Sequence, residues 1–198
     1  MKYKVDCIKN YNEQDYKKIY SQIRKEKQNK IDKYIKEESK KRSMLGEYLL
    51  QKLLKEERID YNKIQIKTNK NEKPYIENKK IYYNISHSYD YVITAISEKP
   101  IGVDIEKIRK IDSKTINMFA TSKEKEYILS EKKGLEKRLF EIYTLKEAYI
   151  KMKGLALKDI KKTEFAIENQ LITNSDQKTQ SKLIHNVPEY IIAICEQK

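Results

Sequence analysis

Apolar side chains along the first hundred residues recur at two spacings. Tyr3 to Ile8 alternates apolar with polar, as a half-buried strand does. Lys25 to Lys41 is rich in Lys and Glu and helical in propensity. Leu45, Tyr48, Leu49 and Leu53 then mark one helical face. Ile64 to Thr68 reads as a short strand, and Lys73-Pro74 breaks any local helix. Ile81 to Ile85 and Val92 to Ser97 are predicted strands with SHSYD as their turn. Ile101 to Glu106 is the next strand, entered through Pro100 and Gly102.

The second half opens with helical segments from about Ser113 to Ser130. A long helix is predicted over Leu135 to Lys153. Gly154 stands at its C-terminal cap position, and Lys151 and Lys153 suit the negative end of its dipole. Glu164–Ile167, Gln170–Ile172, Lys182–His185 and Tyr190–Cys195 read as strands of a second sheet. HSYDYVITAISE resembles HNVPEYIIAICE, and LGEYLLQK shares a helical pattern with LKEAYIKMK about 100 residues later. With 198 residues and no low-complexity linker, this predicts an α+β fold of two pseudo-symmetric halves, 1–100 and 101–198, with a cleft between them.

Composition changes this picture little. Charged residues make up 37% and apolar ones 38%, the latter concentrated in periodic segments, so a folded chain is expected. The formal charge of +13 admits a polyanionic partner. It also admits an A/T-rich codon preference, since Lys, Asn, Ile and Tyr are all abundant. Cys7 and Cys195 form no CxxC motif and no disulfide framework. MKYKVDC lacks the apolar core of a signal peptide, and YIIAIC is far too short to span a bilayer. A soluble, cytoplasmic protein is the expectation.

The candidate chemistry lies in three places. Asp104 and Glu106, in IGVDIEK, project from one face of a strand. Two adjacent carboxylates repel and resist burial unless a positive charge lies between them. The pair reads either as a solvated strand end or as ligands for a hard divalent cation. Glu147 and Lys151 share a helical face, with Tyr143 one turn earlier; they form an i,i+4 ion pair or a third carboxylate beside a phosphate-binding lysine. NISHS, Asn84 to Ser88, gathers hydroxyls around His87, a set suited to a phosphate. Neither His87 nor His185 has zinc-site spacing, and no GxxxxGK[ST] loop is present.

Taken in order, NEKP, NISHS, GVDIE, FATSKE and YTLKEAYIKMKGLAL resemble the successive motifs of the 4′-phosphopantetheinyl transferases, the surfactin-synthetase-activating type in particular. The resemblance runs from about Lys25 to the end. It implies transfer of the phosphopantetheine arm of coenzyme A to a carrier-protein serine, with 3′,5′-ADP as the other product. It implies a pseudo-dimeric fold in one chain, whereas the shorter type is one half and trimerises. A monomer is therefore expected.

By the same resemblance, Asp104, Glu106 and Glu147 surround Mg²⁺, with Mn²⁺ as the alternative, and Lys151 contacts the pyrophosphate. Ser86, His87 and Lys73 meet the 3′-phosphate, Arg42 is another phosphate contact, and Lys27 and Lys30 reach the nucleotide. Glu124 matches a carboxylate linked to deprotonating the serine, with Glu147 as the competing base. An acidic carrier protein would be steered in by the positive charge; no nucleic acid and no membrane are expected as partners. Three positions depart from the pattern. Glu72 replaces a Gly, which bears on the loop shape near Lys73. Tyr143 replaces a Trp and Ala156 a Gly, which are expected to affect packing rather than chemistry. The rival readings are a basic nucleic-acid-binding module, which lacks an RNP-like or helix-turn-helix pattern here, and a Mg²⁺-dependent phosphohydrolase using the same three carboxylates.

Overall fold

The computed structural model describes residues 1–68, 73–168 and 171–198. Its strands are β1 (Lys2–Cys7), β2 (Ile66–Thr68), β3 (Pro74–Ile76), β4 (Ile81–Ser88), β5 (Tyr91–Ser97), β6 (Ile101–Lys107), β7 (Phe165–Glu168), β8 (Leu171–Asn174), β9 (Thr179–Ile184) and β10 (Tyr190–Gln197). Its α-helices are α1 (Glu13–Gln22), α2 (Lys25–Ile31), α3 (Glu37–Glu56), α4 (Ile116–Phe119), α5 (Ser122–Leu129) and α6 (Leu135–Lys153). The α+β class is as expected. One sheet runs β1-β5-β4-β3-β2, a second β6-β10-β9, and β7-β8 forms a separate ribbon. The four C-terminal strands therefore do not make one sheet among themselves: β10 pairs with β6 on one side and with β9 on the other, and among the described residues β7 and β8 pair only with each other.

The two sheets repeat one plan. In each, a first strand (β1 or β6) and the first strand of a later hairpin (β4 or β9) flank the hairpin's second strand (β5 or β10), all antiparallel. A long helix precedes the hairpin in each case. This is the structural counterpart of the internal repeat, since HSYDYVITAISE covers β5 and HNVPEYIIAICE covers β10.

Alternation along the strands stacks these parts. Val92 and Ile96 of β5 face α3, in clusters with Leu45, Leu49, Leu50 and Leu53. Ile93 and Ala95 face the other way, against Val103 and Ile105 of β6 and Ile192 and Ile194 of β10. Ala193 and Cys195 face outward again, against Leu145, Ala148 and Met152 of α6. The order is helix, sheet, sheet, helix, with an apolar core in each gap. Phe119, Ile128 and Ile160 cover the far side of α6. No helix among the described residues is long and apolar enough to cross a membrane.

Gly102 sets how closely β6 approaches α6. A Cβ built there would lie 2.1 Å from the Ala148 carbonyl oxygen and 2.3 Å from the Met152 nitrogen. Only a residue without a side chain lets the strand lie on the helix backbone, and Asp104 follows on that same face. Gly102→Ala is expected to destabilise the protein toward the upper end of about 1–3 kcal/mol, read as a lower urea midpoint.

Local chemistry departs from the expected elements in three places. The Lys/Glu-rich run divides into α2 and α3, because Ile31 is anchored in the core at 1% exposure while Ile35 projects at 96%. Helix α1 carried a start signal in the sequence: Asn12 accepts from the Gln14 and Asp15 amides, and Asp15 caps back onto Asn12. SHSYD is not all turn. β4 continues to Ser88, paired with Tyr91, and the reversal falls on Tyr89 (φ 50°) and Asp90. The Gly154 cap is in place, with φ 69° and its amide bonded to the Ile150 carbonyl.

Candidate active site

Every second side chain of β4 is polar and turns toward β6. Asn84 Oδ1 accepts from the Val103 amide at 2.8 Å, and Ser88 Oγ accepts from the Lys107 amide at 3.2 Å. Ser86 Oγ donates to Asp104 Oδ1 at 2.7 Å, and Ser88 Oγ donates to Glu106 Oε2 at 3.0 Å. β6 is the edge of its sheet, so its outward amides need such partners. The spacing of NISHS is thus a seam that joins the sheets and brings hydroxyls to both carboxylates.

The third element is α6. Lys151 Nζ donates to Asp104 Oδ1 at 2.6 Å and to Ser86 Oγ at 3.2 Å, and lies 3.8 Å from Glu147 Oε2. One ammonium therefore ties Asp104 to Glu147, across some forty residues of sequence. Arg109, which the sequence reading did not single out, pairs with Glu106 Oε2 at 3.1 Å while its guanidinium lies over the Phe140 ring. Tyr143 is also more than packing: its hydroxyl donates to Glu147 Oε1 at 3.0 Å.

The electrostatics of this cluster are incomplete. Asp104 is 3% exposed, and its Oδ2 is buried with no hydrogen-bond partner. Burial, and then the neighbouring Asp104 charge, hold the Glu106 carboxyl above its ordinary pKa. Burial raises Glu147 as well; Lys151 and the Tyr143 hydrogen bond oppose that rise, and Asp104 adds to it. No group of three His, Cys, Asp or Glu side chains among the described residues forms a preformed metal cage. The donor set still fits a hard cation. It is all oxygen, it holds one buried unpartnered oxygen, and a Mg²⁺-like ion takes few carboxylates and keeps waters.

His87 points from β4 to the face opposite Ser86. It is exposed, yet the packing behind it, followed by the Arg42 charge, lowers its pKa below 6.5, with Lys151 adding to the effect. Arg42, on α3, donates to the Tyr89 carbonyl and to Ser39 Oγ, each at 3.1 Å. Lys27 and Lys30, on α2, line a cavity of about 620 Å³ bounded also by Arg24, Glu47 and Tyr83. Lys27 lies 3.4 Å from Glu47 there.

Two expected site residues are turned into the protein. Lys73 is 8% exposed and donates to the Ile101 and Met152 carbonyls; burial lowers its pKa to about 8. Glu124 and Lys146 are both fully buried and paired at 2.6 Å. Glu124 also caps α5 through the Thr121 amide and accepts from the Phe165 amide at 3.0 Å. It is therefore not gathered with Asp104, Glu106 and Glu147. Ala156 precedes a short 3₁₀ turn, and Glu72 lies outside the described residues.

Comparison with known proteins agrees with the resemblance. Residues 10–99 match the family model for the N-terminal part of 4′-phosphopantetheinyl transferase, and residues 100–195 match that of the 4′-phosphopantetheinyl transferase superfamily. The 4′-phosphopantetheinyl transferase gsp of Aneurinibacillus migulanus is 38% identical over 140 residues, 69% of this chain and 58% of that protein. The transferase psf-1 of Bacillus pumilus is 32% identical over 117 residues, 58% of this chain and 50% of its own. Sfp of Bacillus subtilis is 29% identical over 148 residues, 73% of this chain and 66% of its own. The chain thus spans half to two thirds of the length of these curated relatives. Holo-[acyl-carrier-protein] synthase of Thermotoga maritima superposes with a TM-score of 0.42 at 19% identity, over 50% of this chain and 64% of that one, a likeness too loose to build on.

Proposed function

The chain belongs to the 4′-phosphopantetheinyl transferase superfamily, with relatives of the Sfp type, and on that premise we propose that it transfers the 4′-phosphopantetheine arm of coenzyme A to a serine of an apo carrier protein, releasing 3′,5′-ADP. The observation that carries this reading is the junction of β4, β6 and α6, where Ser86, Asp104, Glu147 and Lys151 meet.

In this proposal Asp104, Glu106 and Glu147 hold Mg²⁺ or Mn²⁺. Bound there, the cation would neutralise the diphosphate and stabilise charge on the leaving oxygen. Lys151 stands in for part of that charge when it rests on Asp104, and turns to the diphosphate when coenzyme A arrives. Glu147, its pKa raised by burial, accepts the serine proton. Ser86 donates at the strand edge. Arg42 and His87 face the 3′-phosphate, and Lys27 and Lys30 the nucleotide. Lys73 serves as a brace between the start of β3 and the β6–α6 contact. Residues 1–100 supply the phosphate contacts and residues 101–198 the carboxylates, with the substrate between them. The protein acts as a cytoplasmic monomer, and its +13 charge steers an acidic carrier to it.

Release of 3′,5′-ADP is expected only when divalent cation and apo carrier are both present. Cleavage of coenzyme A without a carrier would mark a phosphohydrolase instead.

His87 gives this reading a pH signature. Its pKa is depressed in the free protein, so the ring is neutral near pH 7, and a bound phosphate would raise it. Affinity for 3′,5′-ADP is then expected to increase as pH falls through the bound pKa, levelling off below the free one. Calorimetric titration across that range checks this; His87→Ala should flatten the dependence.

A further inference from the structure

Tyr143 lies on α6 one turn before Glu147, and its hydroxyl donates to Glu147 Oε1 at 3.0 Å. The other oxygen, Oε2, faces Lys151 at 3.8 Å. The two oxygens of one carboxylate thus have different partners, which fixes the plane of the group. The tyrosine ring is itself held. Phe119 meets it edge-on, with ring centroids 5.2 Å apart and planes at 75°. Phe119 is 2% exposed, and its carbonyl accepts from Lys146 Nζ at 2.6 Å. A run of contacts therefore leads from the buried Glu124–Lys146 pair, through one aromatic edge, to one carboxylate of the site.

We propose that Tyr143 is a positioning residue, whose hydroxyl holds Glu147 Oε1 so that Oε2 stays turned toward the cation and the substrate. The inference rests on the reading of Glu147 given above. The phenol carries a single O–H, and that proton is directed at Glu147 Oε1. Without that donor, the Glu147 side chain gains rotational freedom and is drawn onto Lys151, its i,i+4 neighbour. An aromatic ring that only filled space would be replaced by phenylalanine without effect on the carboxylate.

The test is Mn²⁺ binding to the full chain, followed by electron paramagnetic resonance with no substrate present. Tyr143→Phe is expected to weaken Mn²⁺ about tenfold, the loss of one hydrogen bond to a charged group, and to lower kcat with the KM for coenzyme A unchanged. The melting temperature should hold. Tyr143→Trp, whose indole N–H can donate, should bind Mn²⁺ more tightly than Tyr143→Phe. A Tyr143→Phe protein that binds Mn²⁺ as the unmodified chain does overturns the proposal. So does a folded Tyr143→Trp protein no better than Tyr143→Phe, and so does an unmodified chain that binds no Mn²⁺. Tyrosine-dependent Mn²⁺ binding without transfer to any carrier would instead overturn the proposed activity and support the positioning role.

Discussion

Asp104→Ala is expected to lower transfer by about a thousandfold or more, as loss of a preorganised charge does, while the protein folds as well as before. The carboxylate is 3% exposed, and its Oδ1 takes hydrogen bonds from Ser86 and Lys151. Its Oδ2 is buried without a partner. Removing the group removes the most buried donor of the proposed cation site and the anchor that holds Lys151 near Glu147. The stability effect has the opposite tendency. A buried oxygen without a hydrogen bond is a desolvation cost that alanine does not carry. Lys151, at 31% side-chain exposure, can turn to water. The melting temperature is therefore expected to stay level or rise, the trade often seen at functional sites. Transfer measured at saturating coenzyme A, beside a thermal melt, checks both halves. Activity retained at saturation would mean the cation lies elsewhere; a collapsed fold would make Asp104 a structural residue.

Glu124→Ala is expected to act the other way, costing about 3–5 kcal/mol of stability as removal of one member of a buried pair does. Transfer per folded molecule should fall by less than about tenfold, well short of the loss of a general base. Glu124 and Lys146 are both 0% exposed, and burial already lowers the Lys146 pKa. Alanine would leave that ammonium in the core with, among the described residues, the Phe119 carbonyl as its remaining hydrogen-bond partner. The same change frees the Thr121 and Phe165 amides, which Glu124 now satisfies. Denaturant unfolding, with rates normalised to the folded fraction, separates the two roles. A stable Glu124→Ala protein with a rate reduced about a hundredfold or more would make Glu124 the proton acceptor.

The legible part of this protein was set by period and by spacing. The span of α6 and its glycine cap followed from helical periodicity, and β6 from its alternating β-branched residues. The internal repeat was readable because both copies face the same packing problem, a long helix on a three-stranded unit. The convergence of Asp104 and Glu147 through Lys151 could be required from charge but not located, because nothing local in the sequence says that β6 lies on α6. Gly102 was the signal for it: a glycine two residues before a carboxylate on one strand face marks a close backbone approach. Ser86 and His87 looked like neighbours in a turn, and strand alternation places them on opposite faces. The surroundings of Glu124 were hidden for a different reason. The four residues that make a capping box, Thr121 to Glu124, lie within a motif, and its burial against Lys146 is a tertiary fact.

The most direct measurement is the intact mass of an apo carrier protein after incubation with this protein, coenzyme A and Mg²⁺. A panel of acyl, peptidyl and aryl carriers should include at least one that gains a single phosphopantetheinyl group on its serine, and that gain should vanish with Asp104→Ala or with a chelator. If every carrier in the panel keeps its apo mass while a known transferase converts the same samples, the assignment of Asp104, Glu147 and Lys151 to phosphopantetheine transfer is contradicted.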